Sequence, residues 1–518
     1  MIRKTRILLA SIVFVLITGL FLDFTGTLHH WFSWLAKIQF LPAVLALNFV
    51  AIAFLLLITL LFGRIYCSVI CPLGVMQDIV SNISARRKKH QRRFKFSPAK
   101  SLLRYSILGL FVLAMILGIG SIVALLAPYS SFGRIAQNLL SPIYLLGNNA
   151  LAYIAERVNS YTFYSRDIWI RSLPTFIVAA ISFIIVIVLA WRNGRTYCNT
   201  ICPVGTVLGF VSRFAWFKAK IDKSKCTKCG LCSKSCKASC IDFKNQKIDY
   251  SRCVVCGDCL SVCHKQAIDF VHIAKDNVKE DISTKVDEEK PSQCNVKEES
   301  NEDETQSKVD ASRRAFLVGA AIATTTAAIA QEKKKVDGGL AEIKDKVAPE
   351  RITPLTPPGS LSAENMARHC TGCQLCVSAC PNDVLRPSTG LTTMMQPVMS
   401  YERGYCRPEC TRCSEVCPTQ AITKIDKAQK SSIQIGHAVW VRKNCVPLTD
   451  GVECGNCARH CPVGAIMMVN SKPGDDSSPK IPAINTERCI GCGTCENLCP
   501  SRPFSAIYVE GHESHRFV

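Results

Sequence analysis

The sequence predicts a multidomain chain: an α-helical membrane domain of four transmembrane helices with a pseudo-twofold repeat, then two small cysteine-rich α+β domains. Three observations carry this. Four long runs without a charged residue fall in the first 190 positions, a gap-free internal repeat links them in pairs, and 30 cysteines cluster in tight groups. At 518 residues and 57.1 kDa the length alone would suggest three or four compact domains. A wholly soluble protein is excluded by the apolar runs. A disulfide scaffold is excluded by the spacing, because thiols in C-x2-C-x2-C groups cannot bridge to their neighbours without strain.

The four runs are Ile7–Leu22, Ile38–Phe62, Tyr105–Ala127 and Leu173–Trp191. Each is near the ~20 residues that cross a ~30 Å hydrocarbon layer. Ten Lys or Arg lie between Gly63 and Arg104, against the single Lys37 in the first short connection. The positive-inside rule therefore puts the N-terminus, that basic loop and the chain after Trp191 in the cytoplasm. Two copies of one segment follow the second helix of each pair: GRIYCSVICPLGVMQDIVS from Gly63 and GRTYCNTICPVGTVLGFVS from Gly194, identical at ten of nineteen positions. Each copy holds C-x3-C-P. If those segments are helical, Cys67 and Cys71, and likewise Cys198 and Cys202, share a face at i, i+4. The four thiols then form an additional redox or metal site at the repeat axis; the alternative is that they are buried small side chains.

The formal charge of +22 invites a nucleic-acid reading. The densest basic run, Arg86 to Arg93, is instead flanked by apolar spans. Iron-bound thiolates also offset the sum: at roughly −2 per cubane, six would remove about half of the excess. No nucleic acid is expected. Before residue 220 the only histidines are His29, His30 and His90, none inside a span, so no bis-histidine haem is expected between helices. C-x2-C-H is absent, and no G-x-G-x-x-G follows a strand-like run, so neither haem attachment nor a Rossmann-type flavin site is supported.

After residue 219 two C-x2-C-x2-C-x3-C motifs begin at Cys226 and Cys253. A tight loop supplies three corners of a [4Fe–4S] cube and the other motif supplies the fourth. This assigns Cys226, Cys229, Cys232 and Cys263 to one cluster, and Cys253, Cys256, Cys259 and Cys236 to the other. Cys240 is a spare that could replace Cys236. Zinc is the competing metal, but its ribbons use separated C-x2-C pairs. Residues 220–275 form this domain. Residues 276–311 form an acidic linker, with Cys294 incidental; from Asp276 to Ser312 twelve Asp and Glu face five Lys, with no apolar periodicity.

Ser312 opens SRRAFLVGAAIATTTAAIAQ, the form of a twin-arginine export signal across 312–331, ending in a small-residue cleavage pattern at Ala330. The alternative is a fifth transmembrane helix. Clusters are assembled in the cytoplasm, so a domain carrying them must be exported folded, by the twin-arginine translocase. After a tether at 332–360, residues 361–510 hold sixteen cysteines in four groups of four. These are Cys370, Cys373, Cys376 and Cys380; Cys406, Cys410, Cys413 and Cys417; Cys445, Cys454, Cys457 and Cys461; and Cys489, Cys492, Cys495 and Cys499. The inner two groups are irregular, C-x3-C and C-x8-C. Residues 511–518 read as a tail. Both cysteine-rich domains are expected to be α+β and bacterial-ferredoxin-like. The full count is six [4Fe–4S] clusters, or seven if the C-x3-C-P thiols join.

The first 275 residues resemble NapH-type membrane ferredoxins, on the four spans, the paired C-x3-C-P and the two-cluster domain. From Ser312 onward the chain resembles NapG-type and methylamine-utilisation exported ferredoxins, on the twin-arginine start and the C-x8-C insertion. The chain is similar to a fusion of the two. This resemblance implies that motifs one and four share clusters, as do two and three: Cys370, Cys373, Cys376 with Cys499; Cys489, Cys492, Cys495 with Cys380; Cys406, Cys410, Cys413 with Cys461; Cys445, Cys454, Cys457 with Cys417. It implies a bacterial inner-membrane protein with its first ferredoxin domain cytoplasmic and its second periplasmic. Electrons would pass from quinol, the expected substrate, to a periplasmic reductase of nitrate type or a cytochrome c. A NosR-like assembly or maintenance factor is the alternative, although such chains carry a large flavin-binding domain where this one has only 23–37.

Overall fold

A computed structural model describes residues 2–87, 94–272, 336–337, 341–342 and 344–517. The export-signal segment and the acidic linker with Cys294 lie outside the described residues. The chain divides into two units. One comprises Met1–Arg166, Ile170–His272 and Asp345–Val518; the other comprises Asp167–Trp169 and Ile273–Lys344, where the paired strands Val336–Asp337 and Ala341–Glu342 are described. All that follows concerns the first unit.

Two helices are long and apolar enough to cross a membrane, Arg3–Leu22 and Leu173–Asn193. Only 28% of the first and 22% of the second is buried, whereas the core helix of a soluble domain is mostly buried. Their outward faces carry Leu8, Ile12 and Val15, and Ile177, Ile181, Ile184 and Val188. An apolar exterior of that extent is what lipid, rather than water, accommodates.

The other two expected spans are not continuous. Ile38–Phe62 breaks into Phe40–Leu45 and Phe49–Phe62: Leu47 takes a positive φ, and the Asn48 side chain caps the second piece by accepting from Ala51 N at 3.1 Å. Tyr105–Ala127 breaks at Gly118 (φ 70°) into Ser101–Ile116 and Gly120–Leu126. Both breaks are single polar or small residues inside apolar runs. Between the third and fourth runs the sequence reading assigns no element. The structure has Pro128–Ile135, a π-helical turn at Ala136–Leu140, and Ser141–Arg157 there. Every residue of Pro128–Ile135 is buried, and its Phe132 meets Phe14 and Phe21 of the first helix at ring separations of 5.5 and 6.3 Å.

The repeat is visible as geometry. Gly63 and Gly194, both at positive φ, end the helices Phe49–Phe62 and Leu173–Asn193. A one-turn helix follows each, Tyr66–Val69 and Thr196–Thr200, and then Pro72–Arg87 and Pro203–Val211. Proline at the first helical position suits each start, since its missing N–H had no intrahelical partner.

The two-motif domain starts at Phe217, earlier than the expected 220, because Phe217–Ile221 pairs antiparallel with Ile268–His272. A small hairpin joins Ile241–Asp242 to Lys247–Ile248. Its short helices, Leu231–Ser235 and Asp258–Val262, each follow a left-handed glycine, Gly230 and Gly257. Four more such helices carry the C-terminal cysteines: Leu375–Ala379, Arg412–Val416, Asn456–Arg459 and Thr494–Leu498. Two expected boundaries there need correction. The tail is part of a strand, Ile507–Phe517, paired with Ile433–Trp440. The end of the tether is packed: Lys346 Nζ donates to Cys499 O at 3.0 Å, and Arg351 pairs with buried Glu496 at 2.7 Å.

The first helix spans Ile2–Leu22, about 30 Å at 1.5 Å per residue. At its start Arg3 pairs with Asp258 of the two-motif domain at 2.8 Å. Near its end, Phe21 packs on Phe132, and the neighbouring Gly133 lies directly against Cys373 O of the C-terminal domain. Asn138 to Gln374 Oε1 at 2.9 Å and Arg171 to Asp383 at 2.8 Å complete that junction.

Candidate metal centres

The repeat gathers its four cysteines. Cys67 sits in a one-turn helix and Cys71 just after it; Cys198 and Cys202 repeat the pattern. The expected single helical face is thus interrupted, because Pro72 and Pro203 each start a new helix. Cys202 instead caps that helix, its Sγ accepting from Gly205 N at 3.3 Å. All four thiols are buried and lie within electrostatic reach of one another. The N-terminal ends of two helices therefore face the same thiols, a polarity that favours anionic sulfur.

Residues outside the cysteines complete this site with exchange symmetry. Arg195 Nη1 donates to Cys67 O at 2.5 Å, and Arg64 Nη2 donates to Cys198 O at 3.2 Å. Gly74 packs on Cys67 O and the Arg195 head, while Gly205 packs on Cys198 O and the Arg64 head; neither position has room for a Cβ. Arg64 also reaches Cys67 Sγ at 3.7 Å, and Gln77 Nε2 lies 3.2 Å from Cys198 Sγ. The sequence reading named only the cysteines. Arg64, Arg195, Gly74 and Gly205 were signalled by the same alignment, since Arg and Gly recur at matched places in both copies.

In the two-motif domain Cys236, Cys240, Cys253, Cys256 and Cys259 line one apolar cavity. Cys226, Cys229 and Cys232 are mutual neighbours on the other side. Cys263 accepts from Ala267 N at 3.2 Å. The spare Cys240 is not remote: its Sγ is 3.5 Å from Cys236 Sγ and it also bonds Cys253. The contact with Cys240 lowers the Cys236 thiol from its ordinary value.

The C-terminal cysteines correct the pairing that resemblance implies. Cys370, Cys373 and Cys376 have Cys417 as their fourth neighbour, not Cys499. Cys406, Cys410 and Cys413 share a cavity with Cys380. Cys445, Cys454 and Cys457 share one with Cys499, and Cys489, Cys492 and Cys495 have Cys461 beside them. Motif one thus crosses with two, and three with four, because each adjacent pair of short helices packs together. Burial pushes the Cys406 and Cys457 thiols up to about 11, so ligation by a cation must drive their deprotonation.

The residues fit cubane clusters. Each C-terminal set places its thiols around one small cavity or as close neighbours, room for a cube rather than a single atom. The fourth cysteine of a set also receives a backbone N–H: Ile422 N to Cys417 at 3.4 Å, Ala465 N to Cys461 at 3.2 Å, and Ala506 N to Cys499 at 3.3 Å. These bonds stabilise negative sulfur. The small apolar pairs Ala421-Ile422 and Ala465-Ile466 that supply two of them are buried.

Comparison with known proteins agrees. A family model described as a 4Fe-4S binding domain matches residues 44–91 and 175–224, and a 4Fe-4S dicluster domain matches 369–421 and 452–502. The dicluster matches join motifs one and two, as the structure does. No solved structure matches the chain. The ferredoxin-type protein NapF of Escherichia coli K12 is 26% identical over 206 residues, 40% of this chain and 99% of NapF. NapG of Haemophilus influenzae is 27% identical over 190 residues, 33% of this chain and 66% of NapG. The methylamine utilization ferredoxin-type protein MauM of Methylobacillus flagellatus is 31% identical over 169 residues, 31% of this chain and 70% of MauM. With its cysteine sets and this coverage, the chain belongs to the MauM family of iron–sulfur ferredoxin-type proteins.

Proposed function

We propose that this protein is a membrane-bound polyferredoxin that carries electrons from the quinol pool to a periplasmic oxidoreductase or cytochrome c, in a system of the nitrate-reductase kind. The observation that carries the reading is the placement of six four-cysteine sets in two domains that pack on one helical domain with an apolar exterior. Bound cubane clusters supply one-electron carriage. The chain's own part is to bury the sulfurs from water, to donate backbone N–H groups to them, and to fix neighbouring sets within each ferredoxin domain. The fusion of a NapH-like membrane part with a twin-arginine-exported NapG-like part accounts for both cysteine-rich domains and the signal between them. The four apolar runs then serve as membrane crossings, two of them through broken helices that the adjoining protein satisfies.

Anaerobic iron and sulfide analysis of the purified chain tests this. About 24 iron atoms are expected from six cubanes. Near-zero iron with tightly bound zinc overturns the reading.

A further inference from the structure

Buried positive charge surrounds the central thiols in excess of buried carboxylate. Asp78 takes Arg6 at 3.0 Å, Arg195 at 2.8 Å and Lys237 at 4.0 Å, and Asp258 takes Lys237 at 3.0 Å. Arg64 is fully buried and has none of these partners. Its guanidinium meets Asn199 Oδ1 at 2.9 Å, Ser251 O at 3.1 Å, Cys198 O and Cys67 Sγ, and among the described residues no carboxylate pairs with it. Arg134 is the same case. It is fully buried, donates to Ala124 O at 2.6 Å and Ser131 Oγ at 3.2 Å, and likewise has no carboxylate partner among the described residues. An unpaired buried cation costs several kcal/mol, so each of these needs an anion nearby.

Their positions say which anions. Arg64 lies between two cysteine sets: one end touches Cys67, and Ser251 O, which it binds, is two residues from Cys253. The adjoining Gly63 rests on Val255, between Cys253 and Cys256. Arg134 also lies between two sets. It faces Tyr197, which adjoins Cys198 and Cys202, and it faces Cys373, whose carbonyl packs on Gly133. Among the fully buried arginines, these two guanidiniums without a carboxylate partner thus occupy the two intervals in the order Cys253 set, central thiols, Cys370 set.

The 4Fe-4S binding model spans Cys67, Cys71, Cys198 and Cys202 and no other cysteine; with a seventh, anionic cluster there, we propose that Arg64 and Arg134 are positioning residues that electrostatically couple three consecutive clusters into one path joining the two ferredoxin domains. This rests on the electron-carrier reading. Each step between clusters moves one electron and neither makes nor breaks a bond. The donor is the quinol of the proposed function, which becomes quinone by giving up two protons to water and two electrons one at a time, and the acceptors are the C-terminal sets. Extra negative charge on the central site during passage is met by Arg64, and on the Cys370 set by Arg134.

The experiment uses the full chain, purified anaerobically, with dithionite as reductant and iron analysis and electron paramagnetic resonance as readouts. Iron above the 24 of six cubanes is expected, with Cys67→Ser and Cys198→Ser each removing only the excess. Arg64→Gln should move the midpoint potential of the central signal to lower values and leave the remote sets unchanged, whereas Arg64→Lys should restore it. Arg134→Gln should do the same to the Cys370 set. Retention of the six other clusters shows that each variant is folded. If six clusters form and neither serine change alters iron content or any signal, the central thiols only pack the hairpin ends and the inference falls. If Arg64→Gln leaves every potential where it was, Arg64 only ties backbone carbonyls. Failure of the six-cluster count would instead overturn the carrier reading itself.

Discussion

His515 is buried beside the C-terminal sheet, its Nε2 2.9 Å from Thr356 Oγ1. Burial first, and then repulsion from His512, hold its imidazole down at about 4. An unfolded histidine titrates near ~6.5, so between the two values the unfolded chain binds the extra proton. The stability that neutral His515 contributes is complete above the unfolded value and is lost as pH falls toward about 4. The full loss corresponds to about 3 kcal/mol. The protection of the amides of the strand Ile507–Phe517, taken relative to the intrinsic exchange rate at each pH, should therefore fall between pH 7 and pH 5, and His515→Gln should flatten that dependence. An equal pH dependence in the variant would show that another group governs the strand.

Among elements, the strand Ile507–Phe517 is the clearest case of structure hidden from the sequence. Its last residues, HESHRF, alternate poorly and read as a tail, and an irregularity between Gly511 and Arg516 shifts the register. Yet Arg516 and Phe517 pair with Gln434 and Ile433, and His515 N donates to Leu361 O at 2.7 Å. Deleting 511–518 should unpair the start of the strand that leads into Cys445. The expected result is loss of roughly eight of the iron atoms, those of the two cubanes at the Cys445 and Cys489 sets, with new protease sensitivity after Ile433. Full iron retention would mean that the segment is dispensable. The helix breaks at Asn48 and Gly118 were hidden in another way, since one polar or small residue in twenty does not disturb an apolar average.

At the scale of the whole molecule, what was legible is what is local. Three ligands per loop are set by C-x2-C-x2-C spacing, and the two-copy repeat brings matched residues together by symmetry. Which loop supplies the fourth ligand depends on which short helices pack, and that is a tertiary choice; hence Cys417 rather than Cys499 beside Cys370. Arg64 and Arg195 were marked by their matched places in the repeat, but their burial against each other's cysteine carbonyls is a tertiary contact with no local pattern. The proposed sidedness of the membrane belongs to this scale, and it rests on the basic loop and the twin-arginine-like segment together. On that proposal the ten Lys or Arg from Gly63 to Arg104 place their loop in the cytoplasm, together with the two-motif sets, whose Asp258 pairs with Arg3 at the start of the first helix. The first helix, about 30 Å long, then ends near Cys373, on the opposite side. On the proposed topology the C-terminal domain crosses already carrying its clusters, and that export depends on Arg313 and Arg314. Replacing both with Lys should leave Cys370–Cys499 inside, protected when protease is applied to spheroplasts, while the parent domain is digested. Equal digestion of mutant and parent would show that the domain reaches the outside without the arginine pair, as a fifth ordinary transmembrane helix would allow.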